Sequence, residues 1–162
     1  MKRALVIGCP GSGKSTFSRA LWEKTGLPLI HLDRLYWNED RTTVEKAVFR
    51  QRLKNALESE AWIIDGDYAS TMELRLRRCD TVFFLDYPTE LCLAGIRDRV
   101  GKPRSDLPWT ETAEDAELIR VVRDYRRAKR PAVLELLGRY PDREIHIFLS
   151  RSEAAAFLDN LR

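Results

Sequence analysis

Hydrophobic residues fall along this chain in short continuous runs, separated by longer stretches with helical spacing. Ala4-Leu5-Val6-Ile7, Leu29-Ile30-His31-Leu32, Ala61-Trp62-Ile63-Ile64, Thr81-Val82-Phe83-Phe84-Leu85 and Glu144-Ile145-His146-Ile147-Phe148-Leu149 read as five strands. The fourth is apolar throughout rather than alternating, which marks a strand covered on both faces, as in a parallel sheet. Helices are predicted over Lys14–Lys24, Thr42–Leu57, a short stretch after Ser70, Thr89–Val100 and Ala113–Lys129. The last of these continues, or restarts at Pro131, as far as Leu137, and a final helix follows Ser150. Thr42 with Glu45, Ser70 with Glu73 and Ser150 with Glu153 have the spacing of capping boxes. Strands alternating with helices predict an α/β fold: a five-stranded parallel sheet with helices on both faces. Residues 1–162 are expected to form one domain, in which roughly 101–130, starting with a Pro-rich and Gly-rich excursion, make a small lid.

Composition narrows the class without naming a function. Hydrophobic residues make up 44% and charged residues 33% of the chain, as in an ordinary soluble protein. No apolar stretch approaches the roughly 20 residues of a membrane helix. The first strand begins at once, so no signal peptide is expected. Cys9, Cys79 and Cys92 have no paired spacing, which fits a reducing cytoplasm better than a disulfide framework. Two histidines, His31 and His146, argue against a zinc site. A net charge of +3 does not by itself imply a nucleic-acid partner.

The chemistry concentrates after the first strand, in Gly8-Cys9-Pro10-Gly11-Ser12-Gly13-Lys14-Ser15, with Thr16 next. This is G-x-x-x-x-G-K-[ST] between a strand and a helix, the order a phosphate-binding loop requires. Its glycines allow turns that point successive N–H groups at phosphate oxygens, backed by the positive end of the helix. Lys14 supplies a point charge for the β- and γ-phosphates, and the Ser15 hydroxyl can hold Mg²⁺. The loop predicts ATP and Mg²⁺ as ligands.

Ligands of such sheets bind beyond the carboxyl ends of the strands, where Asp33, Asp65 and Asp86 also fall. Asp65, followed by Gly66, is the preferred metal-site carboxylate; Asp86 either shares that role or caps the next helix. Asp33 stands where an acceptor would lie and is the candidate base for a hydroxyl being phosphorylated. Tyr36, Trp37 and Tyr68 either stack on a planar acceptor or belong to the core or surface. Arg97, Arg99 and Arg104 flank the excursion, and Arg120, Arg123, Arg126, Arg127 and Arg130 decorate the long helix. Two or three of these are expected to neutralise phosphate charge, the rest forming a solvated face.

The phosphate loop, Asp65-Gly66, the arginine-bearing lid and Tyr125 ahead of Pro131 resemble adenylate-kinase-type nucleotide kinases. Nearly the whole chain resembles the related bacterial family of DNA topology modulation proteins. His31-Leu32-Asp33-Arg34-Leu35-Tyr36-Trp37, Trp62-Ile63-Ile64-Asp65-Gly66-Asp67-Tyr68 and Arg123-Asp124-Tyr125-Arg126-Arg127 carry the likeness. The resemblance implies ATP at the loop, and Arg99 with Arg120 or Arg123 as lid arginines. Two positions depart from the kinase pattern. Asp67-Tyr68-Ala69 replaces an aromatic-proline-arginine turn, and Gly95 stands near the place of the first lid arginine. The leading expectation is an ATP-dependent kinase for a nucleoside, nucleotide or other small-molecule acceptor. The alternative is a nucleotide-gated regulatory ATPase or binding protein that influences DNA topology, acting on DNA or a protein partner. The basic helix favours direct DNA binding, but Glu111, Glu114, Asp115 and Glu117 just upstream and the lack of a base-reading motif count against it. Oligomeric state is left open.

Overall fold

The computed structural model describes residues 1–161. Its strands are β1 (Arg3–Gly8), β2 (Leu29–His31), β3 (Trp62–Asp65), β4 (Thr81–Leu85) and β5 (Glu144–Phe148). They form one sheet in the order β2-β3-β1-β4-β5, and every pairing is parallel. The eight helices among the described residues are α1 (Lys14–Thr25), α2 (Leu32–Tyr36), α3 (Lys46–Leu57), α4 (Ala69–Leu76), α5 (Thr89–Arg99), α6 (Ala116–Ala128), α7 (Arg130–Gly138) and α8 (Arg151–Asn160). The expected doubly covered parallel sheet is the observed one.

Alternate side chains of each central strand enter different cores, as the period of two requires. Ala4, Val6, Ile63, Phe83 and Leu85 pack with Phe17 and Leu21 of α1, Ile96 of α5 and Val122 of α6. Leu5, Ile7, Ile64, Val82 and Phe84 pack on the other face, against Phe49 and Leu53 of α3, Leu76 of α4 and Val133 of α7. Burial on both faces explains why these strands are apolar without alternation.

Of the three expected capping boxes, the one at Ser150 forms. Ser150 caps α8, accepting from the Glu153 N–H at 3.2 Å, while the Glu153 carboxylate accepts from the Leu149 N–H at 2.7 Å. The other two capping boxes are not formed. The Thr42 hydroxyl and N–H both donate to Asp40, and Thr43 pairs with Trp37 in an isolated bridge, so α3 starts only at Lys46. Ser70 lies inside α4, whose start is set by Tyr68. The second strand is also shorter than its apolar run: β2 ends at His31, and Leu32 opens the short α2.

The phosphate loop is fixed in place by a near-contact of two backbones. A Cβ on Gly95 would lie 2.0 Å from the Gly11 carbonyl oxygen, and one on Gly11 would lie 2.1 Å from the Cys92 carbonyl oxygen. No side chain fits between α5 and the loop, which is why Gly95 is not an arginine. Gly95→Ala is expected to force the two apart at a cost of about 1–3 kcal/mol. Thermal unfolding should show a melting temperature lower by several degrees, with weakened nucleotide binding. An unchanged melting temperature would show that the loop is free to shift.

Candidate functional site

The loop between β1 and α1 lies at the carboxyl edge of the sheet's central strand. Gly13 caps α1 with φ of 88° and no side chain bonds the helix end, so its first N–H groups face outward. The Ser12 hydroxyl is buried without a hydrogen-bond partner among the described residues. A buried orphan hydroxyl at the mouth of a helix N-terminus fits a phosphate oxygen. The Lys14 ammonium bends back over the loop, donating to the carbonyls of Gly8 at 2.9 Å and Cys9 at 3.1 Å. Cys9 is buried, Pro10 and Gly11 half-buried, and Thr16 exposed. The Ser15 hydroxyl donates to Asp106 at 2.7 Å.

Asp33 lies in the first turn of α2 rather than at a strand end, and its carboxylate accepts from the Tyr68 hydroxyl. Burial pushes the Asp33 carboxyl above the usual carboxylate range, aided by the nearby charges of Asp106 and Asp65; the Tyr68 bond and the Lys14 charge oppose this. Lys14, Asp65 and Asp106 thus lie close enough for their charges to act on Asp33.

Asp65 is the last residue of β3, opposite His31 in the register of β2, and accepts from its Nδ1 at 2.8 Å. The hydrogen bond made by Ser15 is therefore with Asp106, not with Asp65. Asp86 does not cap α5, whose N-terminus has no side-chain cap. Arg130 binds it through Nε at 2.8 and 2.9 Å and a terminal nitrogen at 2.7 Å, with Arg126 at 3.6 Å.

The arginines separate as their helical positions predicted. Arg126 and Arg130 join Asp86, whereas Arg123 is exposed with no hydrogen bond or ion pair among the described residues. Arg99 is half-buried against Glu111, with Nε 2.8 Å from one carboxylate oxygen and a terminal nitrogen 3.0 Å from the other. Arg104 bridges Glu111 at 3.0 Å and Asp106 through Nε at 3.0 Å. An unbroken chain of Ser15, Asp106, Arg104, Glu111 and Arg99 thus connects the phosphate loop to the end of α5. Arg34 adds to it by donating to the carbonyls of Ser105 and Leu107.

Two residues that sequence reasoning passed over organise the turn at Tyr68 and the aromatic cluster beside it. Arg75 is one of three arginines, with Arg77 and Arg78, in the stretch after Ser70, and it is completely buried. Its guanidinium donates to the carbonyls of Gly66 at 2.8 Å and Tyr68 at 2.9 Å, and makes a longer contact of 3.4 Å with that of Asp67. Burial lowers its pKa to about 10. This clamp holds the turn that presents Tyr68 to Asp33. Trp109 is the second: its ring meets Trp37 edge-on at 5.2 Å, extending the cluster of Tyr36, Phe49 and Tyr68. A groove of about 270 Å³ opens there, lined by Arg34, Glu39, Arg104, Leu107, Trp109 and Thr110 among others. No helix among the described residues is long and apolar enough to cross a membrane.

No protein-family model matches the chain, and no curated protein matches it by sequence. The likeness to DNA topology modulation proteins accordingly rests on the sequence stretches alone. Solved structures do match. Shikimate kinase from Acinetobacter baumannii, solved with shikimate, aligns with a TM-score of 0.64 at 20% identity, covering 98% of this chain and 90% of that one. Shikimate kinase from Bacteroides thetaiotaomicron gives 0.61 at 21%, covering 99% and 96%. A sugar kinase from Janibacter gives 0.58 at 16%, covering 98% and 91%. At such identities the shared feature is the fold, here that of the P-loop kinases.

Proposed function

We propose that this protein is an ATP-dependent kinase that phosphorylates a hydroxyl group of a small-molecule acceptor. The observation that carries the reading is Asp33, half-buried, oriented by Tyr68 and within range of the Lys14 charge. A carboxylate in that place suits a proton acceptor facing the γ-phosphate. The shikimate and sugar kinases that share the fold take hydroxylated acceptors by name, which supports a hydroxyl over a nucleotide phosphate. The turn at Asp65-Gly66 also supplies no arginine for an acceptor phosphate, since Arg75 is spent on backbone carbonyls.

In this reading the orphan Ser12 hydroxyl and the α1 N–H groups hold the phosphates, and Lys14 leaves its two carbonyls for the β- and γ-oxygens. The acceptor oxygen attacks the γ-phosphorus as its proton passes to Asp33. The bond from that phosphorus to the β-phosphate oxygen breaks, and ADP leaves. Mg²⁺, when bound, would neutralise phosphate charge; Ser15 and a neighbouring carboxylate fit it, because this ion keeps most of its waters and asks little of the protein. Arg99 and Arg123 remain candidates for phosphate contact, provided Arg99 gives up Glu111 and α6 brings Arg123 inward.

Transfer from labelled ATP to a panel of polyols, sugars and nucleosides tests the proposal. Acceptor-dependent product that disappears in Asp33→Asn, with ATP binding kept, is expected; slow phosphate release indifferent to acceptor would overturn it and favour the nucleotide-gated alternative. Lys14→Ala should abolish transfer, a loss on the order of 100-fold or more, while circular dichroism stays unchanged. Tyr68→Phe removes a bond that lowers the Asp33 pKa. The acid limb of the rate–pH profile should therefore move to higher pH, and an unmoved limb would show that Asp33 is not the titrating base.

A further inference from the structure

The first turn of α1 already has an anion on it. Ser15 donates to Oδ2 of Asp106 at 2.7 Å. Arg104 grips both oxygens of the same carboxylate, through Nε at 3.0 Å to Oδ1 and through a terminal nitrogen to Oδ2. A two-point guanidinium grip of this kind fixes a carboxylate in position. Asp106 is 4% exposed. Burial pushes its carboxyl up, but the bonds from Arg104 and Ser15 outweigh this and hold it down at about 2, so it keeps its charge.

The same helix end is where the loop motif directs a nucleotide's phosphates, because its N–H groups and positive dipole attract anions. Ser12, buried with its hydroxyl unpartnered among the described residues, marks that place independently. Two anions thus compete for one helix end. The competition is sharpened by Asp33, whose carboxyl is raised by burial and also by the charge of Asp106. A phosphate entering beside these carboxylates is repelled. Nor does the segment bearing Asp106 rest on the Ser15 bond alone. Arg34 of α2 donates to the carbonyls of Ser105 and Leu107, on either side of Asp106. At its ends the Gly101 N–H donates to the Glu111 carbonyl at 2.6 Å, closing the segment into a loop. The connection is therefore held from α2 and set down on α1.

We propose that the Ser15–Asp106 contact is an autoinhibitory latch: Asp106 competes with nucleotide phosphate for the start of α1, and phosphate gains Ser15 only by displacing it. The inference rests on the reading of the loop as a nucleotide site, and goes beyond it by giving the α5–α6 connection a closed, inhibiting state. Arg34 sets how firmly the latch holds, without itself touching the loop.

The test needs no acceptor and no turnover. ADP affinity at fixed Mg²⁺ is measured calorimetrically on the full chain, for the unaltered protein, Asp106→Asn, Arg34→Gln and Asp98→Asn. Asp98 is an exposed carboxylate of α5 paired with Lys102, and controls for net charge. Asp106→Asn should bind ADP about tenfold more tightly. Arg34→Gln should tighten binding by a smaller factor, and Asp98→Asn should match the unaltered chain. Weaker or unchanged binding by Asp106→Asn would overturn the proposal, as would equal tightening by Asp98→Asn. Should Asp106→Asn fail to fold, an Arg34→Gln chain that binds no more tightly would overturn it. Trypsin gives a second readout on the unaltered chain. ADP should speed cleavage after Arg104, because the segment is released; protection there would show a lid that closes on nucleotide, and the latch would be wrong. Failure of every variant to bind ADP would instead overturn the nucleotide reading beneath it.

Discussion

Because all five strands run in the same direction, every strand delivers its carboxyl end to one edge of the sheet. Everything chemical in this protein depends on that constraint. Lys14 and Ser15 follow β1, Asp33 follows β2 and Asp65 ends β3, so residues far apart in the chain become neighbours without any special arrangement. The central position of β1 then decides which loop lies in the middle. Its close approach to α5, with no room for a Cβ at Gly11 or Gly95, turns a flexible glycine-rich segment into a shaped cradle.

Converging so many charges beside one helix end is costly unless each is answered. Asp65 takes His31, Asp86 takes Arg130, Asp106 takes Arg104 and Ser15, and Asp33 takes the phenol of Tyr68. Buried charges persist only where such partners exist. Arg75 is the unusual member. Its partners are carbonyl groups rather than a carboxylate, and two of them belong to the residues that orient Tyr68. A buried cation here serves as a clamp on a turn, and through that turn on the orientation of Asp33.

The connection between α5 and α6 gives the site its remaining character. It has little regular structure, yet Asp106 and Leu107 within it are buried and its one arginine, Arg104, is engaged with acids of the same segment. Such a segment is held by ion pairs and one aromatic contact, Trp109 on Trp37, rather than by an extended apolar core. In that anchorage Arg104 is held by Glu111 and Asp106, and Arg99 by Glu111.

The pattern of apolar runs determined the five strands, their parallel arrangement and the helices that cover them, because burial on both faces leaves an unmistakable mark. The loop after β1 was equally legible, since its pattern resides in eight contiguous residues. Asp33 was expected at the end of a strand, but Leu32 to Tyr36 coil into α2 instead of extending β2. What tertiary structure alone decided are pairings across long separations. Arg75 and Arg77 look alike on paper, but only the first faces the sheet, where helix phase and the turn at Gly66 bury it. Ser15 and Asp106 are 91 positions apart, and no periodicity relates them. A hydrogen bond between two polar residues leaves no trace in hydrophobic spacing, so the pairing of Ser15 with Asp106 required the folded chain.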